Sequence, residues 1–152
     1  MPNARQAIAI PEAEQREFLA RARTLQFASI GPDGRPHLVP MWFAVDEAGC
    51  IVFTTYATSQ KVRNVQRDPR VTVLVEDGSE YSQLRGLMIE GRAEIIAGQP
   101  EATANVARLM GSKYAGRTST APRSSAALTK RCVVRIRPER VRSWDHGRLP
   151  KS

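Results

Sequence analysis

The sequence predicts a mainly β (α+β) fold, a small closed barrel of six to seven short, mostly antiparallel strands with an N-terminal helix and short peripheral helices. Apolar and polar residues alternate in short segments, as in 85–96, where charged residues alternate with Ile, Gly and Ala. Turn residues such as GPDGRP separate these segments, and few segments show helical periodicity. A sheet of this size removes its exposed edges by closing on itself, which favours a barrel.

The individual elements follow from the same patterns in chain order. A helix begins at Pro11, because proline suits a first helical turn and apolar residues then recur at near-helical spacing. The predicted strands are residues 25–30, 37–45, 51–55, 71–76, 85–96, 132–137 and 140–144, and two further helices span 59–67 and 100–110. Residues 1–152 form one domain, with a mobile segment at 1–10 and a loop or lid at 111–127.

Pro40 is an anomaly within the predicted strand 37–45. This segment is apolar at both alternating sets of positions, which predicts a strand covered on both faces. Proline has no N–H to donate to a neighbouring strand, so Pro40 indicates a bulge, an edge, or backbone left open beside a ligand.

Composition narrows the classes of partner. A net charge of +8 and a pI near 10.3 favour anionic partners, but arginine is scattered and aromatic residues are only 6%, which does not favour a nucleic-acid surface. Cys50 and Cys132 are far apart and His37 and His146 have no carboxylate at ligand spacing, so no bound metal is expected. The sequence shows no membrane span and no secretory signal, so we expect a cytoplasmic protein.

The segment IVFTTYATSQKVRNVQRDPR predicts a strand, a turn rich in hydroxyl groups and a short helix. The helix begins at Ser59 and carries Lys61 in its first turn. The start of a helix presents unpaired N–H groups and the positive end of its dipole, so a hydroxyl and an ammonium there predict a site for a phosphate group. The alternative is an ordinary strand-to-helix connection with serine as the N-cap.

Four stretches together resemble a known family: FASIGPDGRPHLVPMWFAV, VFTTYATSQKVRNVQRDPRVTVLVEDG, YSQLRGLMIEGRAEI and VRSWDHGRL. In this order they resemble the pyridoxamine 5′-phosphate oxidase-like split β-barrel proteins, and within them the flavin- or deazaflavin-dependent oxidoreductases. The resemblance covers nearly the whole chain and is greatest to the branch that uses the deazaflavin coenzyme F420. It therefore implies an FMN-binding type of split barrel and a flavin-like coenzyme.

The resemblance also assigns roles to residues. The phosphate-binding S-x-K motif of the family matches Ser59 and Lys61. The implied cofactor-binding residues are Val39, Pro40, Met41, Thr54, Thr55, Ser59, Lys61, Arg63, Trp144 and His146. In the family, main-chain groups of the strand matching 39–41 face the coenzyme ring. Two subunits complete each site, which implies a homodimer in which Trp144, His146 or Arg148 reaches a cofactor held mainly by the other chain.

The chain departs from the family's founding oxidase in two respects. It ends soon after WDHGRLPKS, without the longer segment that holds the phosphorylated vitamer, so oxidation of pyridoxamine phosphate is not expected. Gln60 stands where the founding enzyme has an arginine that binds the FMN phosphate. The missing donor favours F420 over FMN, although Arg63 or Arg67 could substitute.

We therefore expect an F420-dependent oxidoreductase that transfers a hydride from the reduced deazaflavin to an unsaturated small organic substrate. Arg63 and Lys113 are candidates for contact with the acidic tail of the coenzyme, and the proton donor is His37, Tyr81 or solvent. The alternatives are an FMN-binding flavoenzyme of the same fold, a non-catalytic flavin- or deazaflavin-binding protein, and a basic barrel that binds nucleic acid.

Overall fold

The computed structural model describes residues 3–115 and 124–150. Its helices are α1 Ala4–Ala7, α2 Glu12–Arg21, α3 Gln60–Arg67, α4 Pro100–Lys113 and α5 Ser125–Thr129, with single 3-10 turns at Tyr81–Gln83 and His146–Arg148. Its strands are β1 Leu25–Ile30, β2 Pro36–Met41, β3 Ala44–Val45, β4 Ile51–Tyr56, β5 Arg70–Asp77, β6 Arg85–Ile96 and β7 Arg131–Asp145. None of these helices has the length and apolar character needed to cross a membrane.

The strands form one antiparallel sheet in the order β2-β1-β5-β6-β7-β4-β3. Its two edge strands, β2 and β3, are consecutive in the chain and are joined only by Trp42 and Phe43. In a flat sheet of this order the edges would lie about 29 Å apart. The chain from Met41 to Ala44 spans at most about 11 Å. The sheet therefore curls until its edges approach each other, which confirms the mainly β barrel class and leaves the barrel split rather than closed.

Apolar side chains of alternate strand residues fill the inside of the curled sheet. Phe27 of β1 and Phe53 of β4 meet edge to face, with ring centroids 5.3 Å apart. β4 is buried on both faces, because α4 covers its outer side with Val106, Ala107 and Met110. The interior is thus an ordinary apolar core, and a ligand must bind at the split or on the surface.

Helix α3 packs against β1 and β6, with Val62 and Val65 buried. Asn64 of the same helix is completely buried and donates from Nδ2 to the Ser29 Oγ at 3.0 Å. This buried hydrogen bond fixes the helix to β1, and with it the position of the residues at the start of the helix.

The expectation of one strand at 37–45 covered on both faces was wrong. β2 ends at Met41, and every second residue of it is exposed, with Leu38 at 63%. β2 is an edge strand, paired only with β1, and Pro40 lies opposite Gln26. The edge position explains the proline, because an edge strand has no second neighbour that needs its N–H.

The prediction of separate strands at 132–137 and 140–144 was also wrong, because β7 runs through both without a break. The register with β6 shifts at this point: Glu90 pairs with Arg140, whereas Gly91 pairs with Pro138. The residue between them, Glu139, is therefore the extra residue of a β-bulge, which accommodates the proline within a continuous strand.

The prediction of a loop or lid at 111–127 was wrong at both ends of this segment. Residues 111–113 belong to α4, and Ser125–Thr129 form α5. Residues 116–123 lie outside the described residues. At the other end of the chain, Ala4–Ala7 form a helical turn and Ile10 is 5% exposed, while mobility of residues 1–10 stays a prediction.

Candidate functional site

The split in the barrel leaves part of β4 without a neighbouring strand. β3 pairs only with Ile51 and Val52, so the same edge of residues 53–56 has no strand beside it. A cavity of about 260 Å³ lies at this edge. It is lined by Met41, Trp42, Thr54, Thr55, Tyr56, Ala107, Met110 and Arg131, and these residues define what we call the β2–β4 cleft.

Lys61 lies beside this cleft in the first turn of α3. Its Nζ donates to Thr55 Oγ1 at 3.1 Å, and the side chain is partly buried. Burial lowers the pKa of the Lys61 ammonium; the nearby Cys132 opposes this shift and the charge of Arg131 adds to it. Within residues 3–115 and 124–150, Lys61 has no ion pair with a carboxylate. An anionic group at this position would therefore meet an uncompensated positive charge.

Ser59 occupies the N-cap position of α3, yet its hydroxyl makes no capping hydrogen bond. In the part of the chain that the structure describes, Ser59 Oγ and His37 Nδ1 are the buried side-chain polar atoms without a hydrogen-bond partner. Such groups are rare in folded proteins because burying them costs about 1–3 kcal/mol each. Ordinary helix capping thus does not account for the Ser59 hydroxyl.

His37 lies on β2, directly opposite Ser29 of β1. Residues opposite each other in an antiparallel pair place their side chains on the same face, so the imidazole lies on the side of the buried Ser29 hydroxyl. That hydroxyl is the acceptor of the Asn64 hydrogen bond from α3. His37 therefore lies on the side of the barrel against which α3 packs.

The other residues expected to bind the coenzyme form two groups, one at the β2–β4 cleft and one far from it. Met41, Thr54 and Thr55 line the cavity, and Val39 and Pro40 precede Met41 on the free edge of β2. Arg63 is exposed on α3, one turn after Ser59. The structure thus brings together most of the residues that the sequence assigned to the phosphate and ring.

Trp144 and His146 lie elsewhere in the chain's own fold. Trp144 pairs with Gly86 at the far end of β7, twelve residues from Cys132, which pairs with Thr55. Twelve residues of extended strand span about 40 Å. Within one chain these two residues therefore do not reach the β2–β4 cleft.

His146 instead meets Tyr81, the other proton-donor candidate. The His146 Nδ1 lies 2.9 Å from the Tyr81 carbonyl oxygen, and the two ring centroids are 4.6 Å apart. Arg148, also considered for the coenzyme, pairs with Glu14 and, at 3.2 Å, with Asp145. These residues form a separate cluster at the end of β7.

Lys113 is engaged inside the fold. Its Nζ donates to the Leu19 carbonyl at 3.0 Å and lies 3.4 Å from the centroid of the Phe43 ring. Burial lowers the pKa of Lys113 to about 8. An ammonium held in this way is a poor candidate for contact with the acidic tail of a coenzyme.

Arg131 is the cleft residue that sequence reasoning missed. It is the first residue of β7 and pairs with Tyr56, and its guanidinium lies 4.7 Å from the centroid of the Tyr56 ring. No local motif marks it, because it reaches the cleft through the long-range pairing of β7 with β4. No three His, Cys, Asp or Glu side chains of the described ranges are grouped to hold a metal ion, and Cys50 and Cys132 are buried free thiols.

The fold is a split barrel with a cleft between β2 and β4. The family model "Pyridoxamine 5′-phosphate oxidase" matches residues 11–145, and the chain belongs to this family. The resemblance noted in the sequence is thereby confirmed.

Two solved structures are similar along most of the chain. A conserved hypothetical protein, Rv2991, from Mycobacterium tuberculosis is 43% identical with a TM-score of 0.86, covering 99% of this chain and 96% of that one. A structure named F420 reductase is 28% identical with a TM-score of 0.69, covering 87% of this chain and 98% of that one.

The names of two curated relatives describe two different activities. The heme oxygenase HutZ of Vibrio cholerae is 27% identical over 107 residues, which are 68% of this chain and 60% of that protein. A 5a,11a-dehydrotetracycline/5a,11a-dehydrooxytetracycline reductase of Streptomyces rimosus is 34% identical over 76 residues, 47% of this chain and 54% of that protein. The chain thus spans little more than half the length of these relatives. Some related proteins are oxidoreductases by name, and the particular activity does not follow from the family.

Proposed function

We propose that this protein is an oxidoreductase that binds coenzyme F420 in the β2–β4 cleft and reduces an unsaturated small organic substrate. The observation that carries the proposal is the buried, unpartnered Ser59 Oγ beside the partly buried, unpaired Lys61 ammonium. The 28% identical structure named F420 reductase and the relative named dehydrotetracycline reductase support a reductase of this type.

The donors at the start of α3 fit a phosphate group. Ser59 supplies a hydroxyl, Lys61 an ammonium and the first turn of α3 its N–H groups and the positive end of its dipole. Thr55 holds the ammonium in place from the strand side. Hydrogen bonds between such donors and an anion are short and about twice as strong as neutral ones. A phosphate would satisfy the orphaned hydroxyl and neutralise the lysine in one step.

The residues of β2 would position the ring. When bound, a reduced deazaflavin supplies a hydride for transfer to the substrate. Main-chain groups of residues 39–41 lie on the free edge of the sheet and are available to orient a planar ring, while Pro40 keeps one position free of an N–H donor. Trp42 and Met110 line the cavity, and their side chains would pack beside the ring and limit its contact with water.

His37 is the proton-donor candidate that we favour, because it lies on β2, whose last residue lines the cleft. Its Nδ1 is buried without a hydrogen-bond partner, so a substrate atom or an ordered water there would complete its hydrogen bonding. Tyr81 is 71% exposed and lies with His146 at the opposite end of the sheet. Tyr81 would act in this cleft only from a second chain.

The proposed active form is a homodimer. Trp144 and His146 lie too far from Ser59 along β7 to share a cleft within one chain, so their proposed coenzyme contacts require a partner. The outer face of β2 carries the exposed apolar side chain of Leu38, which a partner would cover. Each cleft would then receive the C-terminal end of the other subunit's β7.

FMN is the alternative coenzyme, and a non-catalytic carrier is the alternative function. The Gln60 side-chain amide donates a hydrogen bond to Asn64 Oδ1 at 2.8 Å, so it is engaged within α3. The chain therefore lacks, at that position, the arginine that holds FMN in the founding oxidase, which favours F420.

The test is a titration of the purified protein with F420, with FMN and with haemin, followed by multiple-turnover assays with reduced F420 and unsaturated ketones. The proposal expects saturable F420 binding tighter than that of FMN, with catalytic consumption of reduced F420. Exclusive FMN or haemin binding would reject F420 as the coenzyme. Binding of F420 without turnover of any substrate would instead support a carrier.

A further inference from the structure

Arg131 lines the same cavity as Thr55, the residue whose hydroxyl accepts a hydrogen bond from Lys61. Arg131 pairs with Tyr56 at the start of β7, and the next residue, Cys132, pairs with Thr55. Thr55 Oγ1 accepts the hydrogen bond of Lys61 Nζ at 3.1 Å. The two cations are close enough that the charge of Arg131 helps to lower the pKa of Lys61, after the larger effect of burial.

Arg131 has no carboxylate partner in residues 3–115 and 124–150. Elsewhere on the same strand, Arg135, Arg137 and Arg140 each form an ion pair with an acidic residue. The Arg131 guanidinium is held instead over the Tyr56 ring, at 4.7 Å from its centroid. A cation–π contact uses the face of the guanidinium and leaves its N–H donors free for an anion.

The other arginines near the start of α3 are engaged or remote. Arg67 donates to the Ile30 carbonyl and, at 3.2 Å, to Asn64 Oδ1, so its guanidinium is already bound within the fold. Arg63 is exposed and does not line the cavity. Arg131 is therefore the arginine that lines the cleft with donors to spare.

We infer that Arg131 is the second cation of the phosphate site and binds, together with Lys61, the anionic group of the coenzyme. This inference rests on the proposed function and adds a binding residue from β7. The guanidinium would take over the role of the arginine that Gln60 replaces, reaching the phosphate from a different strand. The anion is a phosphate mono- or diester, as in FMN or F420 respectively.

Two matched pairs of probes separate phosphate binding from ring binding. The first pair is F420 and its chromophore without the phosphate and the acidic tail, 8-hydroxy-5-deazariboflavin. The second pair is FMN and riboflavin, which differ by the phosphate alone. Dissociation constants are measured for the wild type, Arg131→Gln, Arg131→Lys and Lys61→Gln. The control is Arg137→Gln, which removes the same charge from an exposed position of the same strand.

Arg131→Gln is expected to raise the Kd of the phosphate-bearing probe roughly 10- to 100-fold, as for loss of a charged hydrogen bond, and to leave the phosphate-free probe unchanged. Arg131→Lys keeps the charge but not the planar fork, so its Kd should fall between those of wild type and Arg131→Gln. The inference about Arg131 would be overturned if Arg131→Gln and Arg137→Gln had equal Kd values while Lys61→Gln bound the coenzyme more weakly. The proposed role of Lys61 would still stand.

Inorganic pyrophosphate, titrated by calorimetry, tests the two cations without any coenzyme. If the wild type binds no coenzyme, the proposed function fails. Pyrophosphate binding that is lost in Arg131→Gln but kept in Arg137→Gln would still support the paired-cation site. Pyrophosphate binding that is equal in these two variants, or absent from the wild type, would overturn it.

Discussion

Asn64 of α3 donates a 3.0 Å hydrogen bond from Nδ2 to the Oγ of Ser29 in β1, and both residues are almost fully buried. Asn64 Oδ1 in turn accepts from Gln60 and Arg67. This network links the helix that begins the phosphate site to the sheet, so the position of Ser59 and Lys61 depends on it.

Replacing Asn64 with leucine is expected to lower the free energy of unfolding by about 1–3 kcal/mol, because the buried Ser29 hydroxyl loses its partner. Urea denaturation measures the change. Gln66→Leu, an exposed substitution on the same helix, should stay within about 0.5 kcal/mol of the wild type. Equal stability of the two variants would show that the network does not stabilise the helix.

Ser59→Ala separates binding from stability. The Ser59 hydroxyl is buried without a partner in the free protein, so its removal should leave the free energy of unfolding unchanged or raise it by up to about 1 kcal/mol. The same change should weaken binding of the phosphate-bearing coenzyme by about 1 kcal/mol. Thermal melts with and without coenzyme measure both effects, with Thr58→Ala as the exposed control. A large loss of stability in the free protein would indicate a structural role instead.

Lys61→Ala should weaken coenzyme binding by about 1.5–3 kcal/mol, the range for a hydrogen bond to a charged group. Fluorescence or absorbance titration at fixed salt gives the value. The phosphate-free chromophore should bind the variant and the wild type alike. An unchanged Kd for the intact coenzyme would place the phosphate elsewhere.

Lys113 should make stability depend on pH. Burial lowers its pKa to about 8 from 10.5, so between these pH values the unfolded chain binds more protons than the folded one. The contribution of Lys113 to the free energy of unfolding therefore rises with pH from 8 to 10.5. Lys113→Met removes the titrating group and keeps much of the side-chain packing. The difference in unfolding free energy, wild type minus Lys113→Met, should increase from pH 7.5 to pH 10, and a flat difference would contradict the burial of the ammonium.

Gly86 is packed directly against Trp144. A Cβ at Gly86 would lie 2.3 Å from Cζ2 of the indole, so Gly86→Ala must displace the ring. We expect a loss of about 1–3 kcal/mol in stability and a shift of one of the two indole N–H signals in NMR spectra. Gly111→Ala, where a Cβ meets open space on α4, should instead stabilise the protein by about 0.5–1 kcal/mol. Unshifted indole signals in Gly86→Ala would show that Trp144 does not rest on Gly86.

The sequence predicted the elements whose signals are local. β6 has the bounds that its alternating pattern indicated, and α3 ends at the predicted residue and begins one residue later than predicted. The edge position of β2 could not be predicted from a local pattern. The number of neighbouring strands depends on pairing between residues that are distant in sequence. Pro138 suggested a break in β7 because the bulge that accommodates it depends on the register with β6.

In the candidate site, too, the residues with a local sequence signal were predicted and the residue placed by long-range pairing was not. Ser59 and Lys61 form a recognisable motif, and the structure adds that the Ser59 hydroxyl is orphaned rather than capping. Arg131 enters the cleft only through the β4–β7 register, 70 residues after Lys61 in the chain. No pattern around Arg131 distinguishes it from the other arginines of a basic protein.

A crystal structure of the protein with bound F420 tests the central proposal most directly. We predict that the coenzyme phosphate lies in the β2–β4 cleft, within about 2.7–3.1 Å of both Ser59 Oγ and Lys61 Nζ. A coenzyme bound elsewhere, with the Ser59 hydroxyl still unpartnered, would contradict it.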